Sequence, residues 1–301
     1  MTKPSRTFRP FFFALVLATG SAFAGAPDVT PAAAPAADDL TLGNFFSEGW
    51  NQPFEFRRSL DDGAPDLPLF HVSTNFLARA SRTDYSFEEN LNGRYDRNIN
   101  YLDEYCDFAV NKRFMISVFG NYTWRNARTG DDVNGAGGGM FTRFQLIDTP
   151  TSSDSINLRV DLPNKDLGVH TTKLSETLAG WQDLSPLGVG RVGLYYSFEN
   201  DNYAGYAAPG SMRDDVAYDV ALGKTWTSRS ASVAALTTLV EFSGGTNMDG
   251  NQRTYTNMAA TPAVEFIVGK HNLIMLGVDF PLTHPSAERE VYRATYIYLF
   301  F

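Results

Sequence analysis

Hydrophobic and polar residues trade places at every second position along most of this chain. In Ile156-Asn157-Leu158-Arg159-Val160-Asp161-Leu162 one face is aliphatic and the other polar. Phe114, Ile116, Val118, Tyr122 and Trp124 alternate with Ser117, Asn121, Thr123 and Arg125. Val192, Leu194, Tyr196 and Phe198 oppose Arg191, Tyr195, Ser197 and Glu199, and Val216, Tyr218, Val220 and Leu222 oppose Asp215 and Asp219. Met258, Val264 and Phe266 likewise oppose Asn257, Thr261 and Glu265. A period of two marks half-exposed strands. Counting such segments gives about twelve strands of roughly ten residues. They are expected near 69–80, 99–110, 114–126, 138–148, 155–163, 173–183, 188–199, 214–224, 230–243, 255–267, 272–283 and 290–301. In 173–183, Glu176 falls on the same side as Leu174 and Leu178.

The connections alternate in length. Short turns are expected at 111–113, 149–154, 184–187, 225–229 and 268–271. Longer loops rich in Gly, Asn and Asp are expected at 81–98, 127–137, 164–172, 200–213, 244–254 and 284–289. A soluble sandwich has no reason to collect its long loops at one end. An antiparallel transmembrane β-barrel of about twelve strands does, with both termini on the short-turn, periplasmic side.

Before residue 69 the pattern differs. Lys3, Arg6 and Arg9 precede the apolar run Phe11–Ala18, and Ala22-Phe23-Ala24 reads as a cleavage site. Residues 1–24 are therefore expected to be a signal peptide. The run is too short to span a bilayer as a helix, so a membrane destination would be reached with strands. Residues 25–39 form an Ala/Pro-rich linker. In the segment 40–68, the spacing of Leu40, Leu42, Phe45, Phe46 and Trp50 suits a short periplasmic helix ending near Pro53. Residues 69–301 would be the barrel.

Composition narrows the classes. Of the 301 residues, 20% are charged and 14% are aromatic, and the net charge is −9. A chain this acidic lacks a nucleic-acid footprint, so no nucleic-acid partner is expected. Cys106 is the single cysteine, which excludes an intramolecular disulfide and offers no metal cluster. No metal and no cofactor are expected. Gly188-Val-Gly190-Arg-Val-Gly193 matches a dinucleotide fingerprint, but it lies inside a strand-like segment where that chemistry needs a helix. Asn121-Tyr122-Thr123 matches a glycosylation acceptor, again within a strand.

The chain closes on Tyr-Arg-Ala-Thr-Tyr-Ile-Tyr-Leu-Phe-Phe, residues 292–301. Together with the leader and the strand pattern, this closing stretch resembles the outer-membrane β-barrel proteins of Gram-negative-type bacteria. The resemblance implies a porin-like channel or transporter in the outer membrane, surrounded by outer-membrane lipid and assembled by the barrel-insertion machinery. It makes Ile297, Leu299 and Phe301 the C-terminal assembly signal. It also places their face against lipid, with Arg293 on the lipid-facing parity near the outer rim.

If the aliphatic face meets lipid, the polar face lines a lumen. Arg125, Arg143, Arg159 and Arg191 would form a basic arc. Asp215, Asp219, Glu241, Glu265 and Asp279 would form an acidic arc, to which Asp103 and Asp107 add. Asp161 and Glu199 are exceptions within the basic arc. Such a lumen would pass small hydrophilic solutes, with a transverse field that orients dipolar ones. Two other functions stay open. His71, Ser73 and Asn75 share one face of the first expected strand, and a serine beside a histidine and an amide can be a nucleophilic site. Outer-membrane phospholipase A, a twelve-stranded family, carries a similar His-x-Ser motif, although Phe70 precedes His71 here where that family has Asn. Alternatively the inward charges pair with one another and the barrel is structural, with a filled lumen.

Overall fold

The computed structural model describes residues 39–55, 69–88, 97–127, 133–164, 172–185, 192–204, 215–227, 233–247, 256–269, 271–283 and 290–300. The expected leader and most of the linker fall outside them. Twelve strands follow one another: β1 (Arg79–Glu88), β2 (Arg97–Ala109), β3 (Phe114–Ala127), β4 (Val133–Asp148), β5 (Ser152–Asp161), β6 (Thr172–Asp183), β7 (Val192–Ala204), β8 (Asp215–Thr227), β9 (Val233–Asn247), β10 (Thr256–Val268), β11 (Asn272–Pro281) and β12 (Val291–Leu299). Each pairs antiparallel with its sequence neighbours, and β1 closes on β12 to complete a barrel. Closure leaves no strand edge with unpaired backbone groups.

The alternation dictates which face points where. Val118, Met140, Leu158, Val220, Leu222, Phe242 and Leu276 stand exposed on the outer wall, while Ser117, Asn157, Ala221, Glu241 and Met275 are buried inside. Glu176 does sit on the outer parity, between Leu174 and Leu178 in β6. Connections 110–113, 149–151, 184–191, 228–232 and 269–271 lie at one end, with the start of β1 and the end of β12. Connections 89–96, 128–132, 162–171, 205–214, 248–255 and 282–290 lie at the other. The contrast in length is softer than the sequence suggested, because β4 begins and β7 ends further toward the loop end.

Three expectations need correction. First, residues 69–78 are not a wall strand; β1 starts at Arg79, and the expected loop 81–98 is mostly strand, with 81–88 in β1 and 97–98 in β2. Residues 69–78 instead cross the barrel interior. Their backbone groups are satisfied by the wall's side chains rather than by a ladder. Phe70, His71 and Val72 donate their N–H groups to the Glu241 carboxylate at 2.9, 2.9 and 3.1 Å. Ser73 donates its N–H to Ser197 Oγ at 3.1 Å, and Arg143 Nη1 donates to the Phe76 carbonyl at 2.5 Å. Asn75 Nδ2 donates to the Ser153 carbonyl at 2.9 Å. The segment thus sweeps past β9, β7, β5 and β4 before entering the wall as β1.

Second, the closing strand has the opposite parity to that expected. Tyr292, Tyr296, Tyr298 and Phe300 are exposed on the outside, whereas Ile297 and Leu299 are buried. These two pack with Phe76, Ala78, Ala80 and Leu273 inside the barrel. Arg293 therefore points inward, where its Nε donates to Asp279 Oδ2 at 2.6 Å. An arginine on the lipid face would cost about 2–4 kcal/mol near the midplane, which favours this parity. Phe301 lies outside the described residues.

Third, residues 41–52 form turns and bends, not a helix. The segment bridges Leu40 to Asp148 and Pro53 to Asn111 at the turn end. Arg113, fully buried in the β2–β3 turn, holds it there. Its guanidinium donates to the carbonyls of Thr41, Glu48, Gln145 and Leu146 and to Asn44 Oδ1. Its face lies over the Phe45 ring, 5.1 Å from the centroid.

Candidate functional site

The inward residues divide the interior into two levels. The level nearer the turns is packed with apolar groups. Leu69 and Val72 of the crossing segment join Trp181, Tyr195, Ala221, Leu239 and Met275 in one cluster. Phe76 and Ala78 belong to a second, and Leu77 meets Ala109 and Met115 in a third. Burial of this apolar surface is favourable at about 25 cal/mol per Å², so the crossing segment is a packed plug.

Above the plug lies a cavity of about 250 Å³. Residues 69–74 form its floor, and its walls carry Arg82, Arg143, Arg159, Arg293, Asp84, Asp103, Asp107 and Glu199. The charges are mostly matched with near neighbours. Arg159 grips Asp161 in a bidentate pair, with Nε–Oδ2 at 2.9 Å and Nη2–Oδ1 at 2.7 Å. Arg82 pairs with Asp84 at 2.7 Å and donates to the Leu69 carbonyl at 3.1 Å. Nearer the loops, Lys173 reaches Asp201 at 3.1 Å and Glu199 at 3.5 Å. Arg159 also stacks 4.2 Å from the Phe119 centroid, and Arg143 lies 5.4 Å from that of Phe141.

Of the residues singled out by sequence, Asp103, Asp107, Arg143 and Arg159 come together around this cavity. Arg125 shares the inward parity of Thr123 on β3. Asp219 accepts from Ser197 Oγ at 3.0 Å, which links it to the plug through the same hydroxyl that receives the Ser73 N–H. Glu241 is not a solvated wall charge; it is fully buried and anchors the plug. Glu265 is also fully buried, against the expectation that water would surround it. Asp279 gathers three partners: His71 Nε2 at 3.1 Å, Thr261 Oγ1 at 2.8 Å and Arg293 Nε at 2.6 Å. Arg191 and the side chain of Asp215 lie outside the described residues. Local pairs such as Arg159–Asp161 and Arg293–Asp279 cut across the two expected arcs.

His71, Ser73 and Asn75 are held by three different strands: β11 through Asp279, β7 through Ser197 and β5 through Ser153. They are spread along the plug, not gathered on one strand face, and His71 turns to Asp279. Cys106 is exposed on the outer wall. Sequence reasoning missed Arg82 and Asp84, which it placed in a loop, and Lys173 and Asp201. The repeat Arg82-Thr83-Asp84, like Arg159-Val160-Asp161, was the available signal: opposite charges two apart share one strand face.

No family model matches the chain, and no curated protein matches it. Solved structures do. The outer membrane channel from Pseudomonas putida F1 aligns with 82% of this chain and 100% of its own, at a TM-score of 0.53 and 11% identity. The β domain of the Bordetella autotransporter BrkA covers 73% of this chain and 98% of its own, at a TM-score of 0.44 and 13% identity. The shared feature is the fold: this chain is a twelve-stranded barrel of the outer-membrane type.

Proposed function

We propose that this protein is an outer-membrane channel for small hydrophilic solutes, held shut from the turn side by residues 69–78. The observation that carries the reading is the charged cavity above the plug. A purely structural barrel gains nothing from lining a cavity with four guanidiniums and four carboxylates, because each partly buried ion loses hydration that pairing only partly restores. A solute path gains a lining that replaces the solute's own water. The fold likeness to the Pseudomonas putida channel supports the same reading. Three consecutive N–H groups of the plug converge on one carboxylate, Glu241, beside single fastenings at Ser197, Ser153 and Arg143, so its loss would free the start of the plug together. The solute would enter at the loop end, meet Arg82, Arg159 and Glu199, and leave once 69–78 moves aside.

The filled lumen keeps a second reading in play: three apolar clusters occupy the turn-side level, as a structural barrel would have them. Planar-bilayer recording separates the two. The full chain should show rare, brief openings. Glu241→Ala strips the plug of its anchor, and Val72→Asp places a charge in the apolar cluster; each should raise the open fraction about tenfold or more, the factor for roughly 1.4 kcal/mol. Inserted, heat-modifiable barrels of both variants that pass no current would establish the structural reading instead.

A further inference from the structure

Between β10 and β11 the ladder of the barrel wall is interrupted. Along β10 the ladder to β11 runs from Val268↔Asn272 to Ala263↔Gly277 and resumes at Ala260↔Phe280. Thr261 and Pro262, opposite Val278 and Asp279, have no ladder partner there. On its other side β10 stays paired with β9 from Thr256 to Ile267, with Pro262 opposite Val240, and shifts register only beyond Ile267. Proline has no N–H to give to a ladder and is confined to edges or bulges in ordinary sheets. A closed barrel has no edge, so a proline in mid-strand opens a local gap instead.

Outside this gap lies a groove of about 620 Å³, within the range of small-molecule sites. Its lining is mostly small or aliphatic, with Pro262, Ala263, Val264, Leu276, Gly277 and Val278 central. Tyr85, Arg293 and Ala294 line this groove and also the charged cavity within the barrel. Groove and cavity thus lie on opposite sides of the same three residues. On the inner side the Phe70 ring is seated on Gly277: a Cβ there would come within 2.5 Å of Phe70 Cε2. The same plug that closes the lumen thus covers the inner mouth of the gap. Behind it stands the guanidinium of Arg293, held by Asp279.

We propose that this groove is a lateral binding site for a membrane-dissolved, single-chain amphiphile with an anionic head, of the fatty-acid class. The chain lies along Pro262, Val264, Leu276 and Val278, and the carboxylate meets Arg293 at the gap. The head group selects the occupant: an apolar groove alone would take any acyl chain, but Asp279 engages only the Nε of Arg293, and its Nη groups would give a carboxylate charge-assisted hydrogen bonds that an ester cannot match. A groove of about 620 Å³ suits one acyl chain better than the two of a phospholipid.

The test uses the full chain in nanodiscs and three photoreactive diazirine probes: a long-chain carboxylic acid, its methyl ester and a phosphatidylethanolamine. Peptide mapping should find the acid concentrated on Val264, Leu276 and Tyr292, about tenfold above the ester, the factor expected for one hydrogen bond to a charged group. Val278→Trp, which fills the groove from the lipid side, should abolish this labelling while leaving adducts near Val118 unchanged. Arg293→Gln should bring acid and ester to the same yield. Labelling spread evenly around the barrel, equal yields for acid and ester in the unmodified chain, or equal yield for the phospholipid would overturn the proposal. The readout is binding, so it stands or falls apart from conduction through the lumen.

Discussion

The turn-side and loop-side levels of the barrel share one wall and one alternation, yet their interiors differ: apolar clusters beside buried Gln145, Thr237 and Glu265 near the turns, charged pairs near the loops. On the turn side, inward positions such as Ala109, Met115, Ala221, Leu273 and Met275 are apolar and buried against the plug. On the loop side, the same parity carries Arg159, Asp161, Lys173, Glu199 and Asp201, paired but half-exposed. The outer face differs little between them, because lipid imposes the same demand at both levels. The inner face follows its neighbour: packed chain in one case, an open cavity in the other. Inward polarity in such a barrel therefore reports what occupies the lumen.

If that is right, the largest effects belong to the turn side. Met115→Ala removes a fully buried side chain that packs with Leu77 and whose sulfur accepts the Ala78 N–H at 3.3 Å. It should cost about 2–5 kcal/mol, the range for truncating a buried methionine. The measurement is the temperature at which the folded, fast-migrating barrel is lost on gels. A shift no larger than that of an exposed control such as Thr238→Ala would mean that this level is not packed, and the contrast between levels would fail.

How much of this was legible beforehand follows from the same contrast. The outer face is largely apolar, so most of the twelve wall segments could be read from period two, and the barrel from the alternation of short and long connections. The plug could not. Phe70, Val72, Thr74 and Phe76 also alternate, since any extended chain between two unlike surroundings does. Period alone does not say whether a backbone N–H meets a neighbouring strand or a carboxylate such as Glu241. The cost of that ambiguity was β1: with 69–78 taken as wall, Arg82 and Asp84 were left in a loop. The parity of β12 failed for a different reason. Both of its faces are aromatic or aliphatic, and only Arg293 distinguishes them; its expense in lipid was the better guide. Around the cavity, Asp103, Asp107, Arg143 and Arg159 were found because they lie on unambiguous strands. Glu241 was found as a position but not as an anchor, because its partners are backbone groups far away in sequence.

An intermediate effect is expected where the N-terminal segment docks. Arg113 makes five donor contacts to residues 41–48 and 145–146, and a lysine cannot reproduce that planar fork. Arg113→Lys should therefore loosen 39–55 by about 1–3 kcal/mol, the cost of leaving buried acceptors unsatisfied. Limited proteolysis should cut within 41–52 faster while the barrel itself keeps its melting point. Uncut segment and unchanged rates would show that the Leu40–Asp148 and Pro53–Asn111 bridges suffice without the arginine.

The smallest effect on stability is expected at the loop side, where it becomes informative about function. Glu199 accepts from Thr177 Oγ1 at 3.1 Å and faces Lys173 at 3.5 Å, but Lys173 keeps Asp201 at 3.1 Å when Glu199 is neutral. Glu199→Gln preserves shape and a hydrogen-bonding carbonyl. The pair is loose at 3.5 Å and about a quarter exposed, and Lys173 keeps Asp201, so its loss should change stability by no more than about 1 kcal/mol. The local field changes more. One negative charge leaves a wall that also holds Arg159 and Lys173, so the balance at the cavity's upper rim moves toward positive. In a background made conductive by Glu241→Ala, the reversal potential in a salt gradient should shift toward anions. The shift should shrink as salt rises and the Debye length falls below the width of the lumen. A conducting variant whose reversal potential ignores Glu199→Gln at low salt would place the ion path elsewhere, and the charged level would then have to be explained as structure alone.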